Sequence, residues 1–82
     1  MNIVEKNIIR ALLKNGHAME KRRLVMRLPI HLQPKAPQSI LQLAEAGYLI
    51  EDFTEKGWIV SIPKFMVQDA LKSISSIYAR DY

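Results

Sequence analysis

The chain has 82 residues, a hydrophobic fraction of 49%, a charged fraction of 24% and a net charge of +4. That length suits one compact domain, and no stretch approaches the roughly 18 apolar residues a membrane span needs. With zero cysteines, a disulfide framework and a thiolate metal site are both excluded.

The charge is unevenly placed. Residues 1–41 hold eight Lys or Arg against Glu5 and Glu20, a balance of +6, whereas residues 42–82 hold four against six acids, a balance of −2. A basic half of this kind draws polyanions, nucleic acid first among them, and would steer an acidic protein equally well. The start shows no basic-then-apolar leader, so a cytoplasmic location is the expectation.

From Val4 to Asn15, the apolar residues Val4, Ile8, Ile9, Ala11, Leu12 and Leu13 share one broad helical face, and Gly16 is the expected stop. Lys6, Arg10 and Lys14 repeat opposite them. Such a stripe is read first as a solvated face and only second as a set of phosphate contacts. "HAM" at 17–19 is too short to assign. "EKRRLVMRL" at 20–28 predicts a second helix with Leu24, Val25 and Leu28 inward, ended by Pro29. Lys21, Arg22 and Arg23 crowd its first turn, where cations oppose the helix dipole; a nearby phosphate would relieve them, as would simple extension into solvent.

"PIHLQPKAP" at 29–37 carries three prolines and is expected to be a connector that cannot be helical throughout, with Ile30 and Leu32 tucked under the domain. Pro37 suits the first turn of a third helix over 37–46, and Gly47 suits the residue just past its end. Ile40, Leu43 and Ala44 are its inward face, with Leu41 at the margin; Gln38, Ser39, Gln42 and Glu45 are expected to face out. After Gly47 the period changes. "YLIEDF" and "WIVSI" read as strands, and "TEKG" between them as a turn ending in glycine. Trp58 is expected in the core or an interface rather than in a base-stacking role. "PKFMVQDALKSISSIYARDY" opens with proline and spaces Val67, Ala70, Leu71, Ile74, Ile77 and Tyr78 as one helical stripe. Such a stripe packs on its own domain or, where it runs past a small body, on a second copy.

The order helix, helix, helix, hairpin, helix resembles the winged helix-turn-helix superfamily, and "ILQLAEAGYLI" is similar to its LxxLxxxGLI signature. Ile40, Leu43, Gly47 and Leu49 stand at the signature positions, with Tyr48 and Ile50 beside them, and the match covers residues 4–62. The resemblance implies an α+β fold: three helices, a two-stranded β-hairpin wing, and a long C-terminal helix. It divides the chain into a winged-helix domain at 1–62 and a C-terminal helix at 63–82 that packs on the domain or mediates dimerisation. A similar "LTEKG" in antibiotic-resistance-type repressors follows the wing, but here "WIVSIP" comes next, which puts "TEKG" at the wing tip.

The same resemblance implies double-stranded DNA as partner. The third helix would enter the major groove with Gln38, Ser39 and Gln42 at base edges, while Lys21, Arg22, Arg23, Lys35 and Lys56 hold the backbone. A homodimer would form through Val67, Leu71, Ile74 and Tyr78. Two departures stand out: the connector between helices 2 and 3 exceeds the tight turn of a compact helix-turn-helix, and the third helix carries no Lys or Arg. The acids Glu51, Asp52 and Glu55 around Lys56 also suit a wing that grips protein. A small transcriptional regulator is thus the first reading, a protein-interaction module or subunit of a larger complex the second, and RNA binding a distant third. No cofactor, metal or catalysis is expected. Three glycines leave no phosphate-loop motif, and His17 and His31 lack metal-binding spacing.

Overall fold

The computed structural model describes residues 1–80, with side chains described through Ile74. The elements run α1 (Ile3–Lys14), β1 (Ala18–Glu20), α2 (Lys21–Met26), a 3-10 segment (Ile30–Lys35), α3 (Ala36–Glu45), β2 (Ile50–Thr54), β3 (Gly57–Ser61), a 3-10 turn (Lys64–Met66) and α4 (Val67–Arg80).

Helix α1 starts on a reciprocal capping box. The Glu5 amide donates to Asn2 Oδ1 at 2.9 Å and the Asn2 amide donates to Glu5 Oε1 at 3.0 Å, so two amides without intrahelical partners are satisfied at once. Its far end turns through two successive left-handed residues, Gly16 at φ 78° and His17 at φ 70°, while the His17 amide reaches back to the Leu12 carbonyl at 2.8 Å. Histidine tolerates this conformation better than most residues with a Cβ.

The chain then pairs at once as β1, which the three residues at 17–19 were too few to reveal. Ala18, Met19 and Glu20 lie opposite Ser61, Val60 and Ile59 of β3. The sheet is therefore three-stranded and antiparallel, in the order β1-β3-β2, and the expected two-stranded wing is its outer part. Glu20 ends β1 and precedes α2, whose six residues are fewer than the nine expected.

The proline-rich connector differs from expectation too. It winds as a 3-10 segment running straight into α3, with Pro34 inside it. Pieces of 3-10 helix commonly serve as connectors and lead into α-helix N-termini, although six residues is long for one. Leu32 is buried as expected, but Ile30 is 83% exposed and does not tuck under the domain.

Helix α3 ends as its glycine demands. With Gly47 at φ 88°, the Tyr48 amide donates to the Leu43 carbonyl at 2.9 Å and the Gly47 amide to the Ala44 carbonyl at 3.1 Å, the paired bonds of a left-handed cap. Strands β2 and β3 follow in the register Ile50↔Ser61 to Thr54↔Gly57. At the tip, Thr54 Oγ1 accepts from the Lys56 amide at 3.1 Å and donates to the Gly57 carbonyl at 2.9 Å. Positive φ falls on Gly57, at 103°, and on neither Glu55 nor Lys56, which fits an ordinary turn followed by a glycine bulge.

One core joins these elements. Ile8, Ile9 and Leu12 of α1, Leu24 of α2, Ile40 and Leu43 of α3 and Val60 of β3 are all buried, as are Ala70 and Ile74 of α4. Each large aliphatic side chain so buried contributes on the order of 1.5–3 kcal/mol. No atom lies within 4 Å of a Cβ built on Gly47, so Gly47→Ala costs only backbone conformation. We expect about 1 kcal/mol of lost stability, seen as a fall of about 4–8 °C in the melting midpoint; an unchanged melt would remove the cap from the account.

Candidate nucleic-acid interface

The amphipathic face of α3 is set by its inward residues. Ala36, Ile40 and Leu43 lie in the core, which leaves Pro37, Gln38, Leu41, Gln42 and Glu45 exposed. Ser39 is a correction. It is only 5% exposed, because its position three residues after Ala36 and four before Leu43 puts it on the inward side. The outward polar face is thus Gln38 and Gln42, and with Lys35 they line a shallow groove beside Asn2 and Ile3 at the start of α1.

Seven other cations gather elsewhere. A cleft of about 520 Å³ between α2 and the wing is lined by Lys21, Arg22 and Lys56 together with Val25, Met26 and Trp58. A second cleft of about 540 Å³ shares Glu20 and Lys56 with it and adds Arg23 and Arg27. A third hollow shares Arg27 and Asn15 with the second and adds Arg10 and Lys14. The shared residues make these three grooves neighbours in one band around α2 and the wing edge, lined by seven cations and a single acid, Glu20. The Gln38–Gln42 groove has no lining residue in common with it.

Sequence reasoning missed Arg27 and treated Arg10 and Lys14 as solvent-facing. The signal was present: Arg23 and Arg27 are four residues apart, as are Arg10 and Lys14, and each pair therefore shares a helix face. What no spacing shows is that Asn15 and Arg27 bring the two faces together.

Lys21 is not simply held out to solvent. Its Nζ lies 3.0 Å from Glu51 Oε1 on β2, with the two side chains 33% and 19% exposed. A pair this accessible adds at most about 1 kcal/mol to stability, but it competes with any phosphate for the lysine.

Of the two places expected for Trp58, the core or an interface, the structure excludes the first. Trp58 is 48% exposed and Phe53 72%, so Trp58 is not in the core. The two residues are cross-strand partners, with ring centroids 5.2 Å apart and planes at 62°, the edge-to-face arrangement aromatic quadrupoles favour.

On α4 the stripe divides. Ile74 is 7% exposed and Val67 is partly buried against the same core, whereas Leu71 is 42% exposed. Ile74 is therefore engaged by its own domain rather than free to pair with a second copy, and the side chain of Tyr78 lies outside the described residues. Among the described residues no helix is long and apolar enough to cross a membrane, and no three metal-ligating side chains are grouped.

This architecture is the winged-helix fold. The chain is similar to a solved structure, F93 from STIV, described as a winged-helix DNA-binding protein, with a TM-score of 0.67 and 20% sequence identity over 96% of this chain and 87% of that one. No family model and no curated protein matches the chain.

The ion pair gives a direct test of the band. Glu51→Gln releases Lys21, so we expect polyanion binding to tighten and its log–log salt slope to steepen by about one unit, measured with random-sequence duplex. An unchanged slope would mean that Lys21 makes no phosphate contact even when free.

Proposed function

We propose that this winged-helix protein binds double-stranded DNA, gripping phosphates with the band formed by α1, α2 and the wing tip and presenting Gln38 and Gln42 of α3 to base edges in the major groove. The observation that carries the reading is the gathering of those cations: Arg22 and Arg23 of α2, Arg27 at its C-cap and Lys56 of the wing line adjoining clefts with one acid among them. Phosphate contacts supply affinity and register, whereas base edges supply choice of sequence. Glutamine suits the second task, since its amide can pair with both exposed edge atoms of adenine. Leu41, 53% exposed between the two glutamines, adds an apolar surface for a thymine methyl. That F93 from STIV is described as a winged-helix DNA-binding protein supports the same reading.

Within this proposal the protein is a small cytoplasmic transcriptional regulator acting as a homodimer. Exposed Leu71 on α4 supports a contact between copies, while Val67 and Ile74 back it from within the monomer. Sedimentation at high micromolar concentration should give a dimer, and Leu71→Glu should shift it to monomer; a monomeric parent protein would sink this part of the proposal.

A protein-interaction module is the second reading. It is favoured by Ile30 at 83% exposed and Phe65 at 79%, large apolar side chains that DNA phosphates do not cover, and by the absence of Lys and Arg from α3.

Arg22→Ala with Arg23→Ala should lower affinity for every duplex and reduce the salt slope by about two. Gln42→Ala should instead alter sequence preference, by about 1–3 kcal/mol at one base position, in a selection from a randomised duplex pool. If neither change has any effect, DNA is not bound through these surfaces and the second reading takes over.

A further inference from the structure

We infer that the cleft between the wing and α2 receives an unpaired nucleotide of single-stranded DNA, with the base against Trp58 and the phosphate held by Arg22 and Lys56. This extends the nucleic-acid reading above and rests on it.

The sheet register explains why the tryptophan is there. Trp58 lies two residues before Val60, so it shares the face of the sheet that enters the core, yet Val60 is fully buried and Trp58 is 48% exposed. The wing carries that face beyond the helical body. Directly opposite, Phe53 meets Trp58 edge-to-face at 5.2 Å and restricts the indole. Val25 and the 70% exposed Met26 line the α2 side.

The chemistry of the cleft is thus an apolar, aromatic wall with cations at its rim. Lys21, Arg22 and Lys56 outnumber Glu20 there, and Lys21 is already engaged by Glu51, which leaves Arg22 and Lys56 to meet an anion. The occupant must therefore combine a flat apolar body with a negative charge, and a nucleotide does so. The cleft's volume of about 520 Å³ falls within the roughly 300–1,000 Å³ of small-ligand sites. Duplex DNA can offer such a wall a base face only by unstacking, which costs free energy at each step; a single strand or a frayed end has every π-face available. A peptide of aliphatic side chains would leave the two rim cations unanswered.

Trp58 is the sole tryptophan in the chain, so its fluorescence reports this cleft alone. We would titrate the full-length protein with a short oligodeoxythymidine, with an abasic oligonucleotide of equal length, and, by anisotropy, with blunt duplex. The inference expects saturable quenching by the oligodeoxythymidine, little by the abasic strand, and weaker binding after Arg22→Ala. Trp58→Ala, checked for folding by circular dichroism, should weaken binding of labelled oligodeoxythymidine about tenfold, and more than it weakens the abasic strand. No quenching, or equal quenching by the abasic strand, overturns the inference. If duplex still binds in that case, the duplex reading stands without it; if duplex does not bind either, both fall.

Discussion

The seating of α3 on α1 governs the rest of the molecule. Ile40 and Leu43 enter the same core as Ile8, Ile9 and Leu12, and that contact decides which side of α3 faces out. The left-handed cap at Gly47 then sets the direction in which the chain leaves. Because Tyr48 and Gly47 bond back to carbonyls of the last turn, β2 departs at an angle fixed by the helix itself. The wing is in this sense an extension of the α3 terminus, and its position relative to α2 follows from the packing of Leu43.

A second consequence concerns where charge can sit. Helix α3 spends its inward half on the core and exposes glutamine, leucine and glutamate, so positive potential has to come from its neighbours. It comes from α2, from the end of α1 and from Lys56, across the loop at Asn15. Gripping and reading are thereby separated onto different elements. Such a division lets the affinity of the protein change without altering the residues that choose a sequence.

Much of this was legible from residue order, for identifiable reasons. Periodic apolar residues marked α1 and α3, Pro37 and Gly47 bracketed α3, and "TEKG" between two β-rich runs located the wing tip, because each is a local signal with a local cause. What escaped depended on partners distant in sequence. Three residues at 18–20 become a strand only because Val60 and its neighbours lie alongside. Ile30 and Leu32 are chemically alike, and only the winding of the 3-10 segment buries one and exposes the other. Ser39 was recoverable: once Ala36 is counted among the inward residues, the helical wheel places Ser39 with it. Trp58 alternates correctly with Val60, but how far the helical body extends beneath β3 is not written in the strand itself.

The pairing of β1 with β3 carries a consequence for how the chain acquires its structure. The hairpin closes a loop of a few residues, and each helix is local, but Met19 opposite Val60 joins positions about half a chain apart, the costliest loop closure in the sheet. Local elements can therefore form before their assembly, while the third strand must wait until α1 and α3 have met and brought its partner within reach. The bond from the Ile62 amide to the His17 carbonyl, at 2.9 Å, belongs to this same late seam. It ties the exit of the wing to the exit of the first helix. Two helices and a hairpin that each form locally are thus held in one arrangement by a long-range seam between β1 and β3.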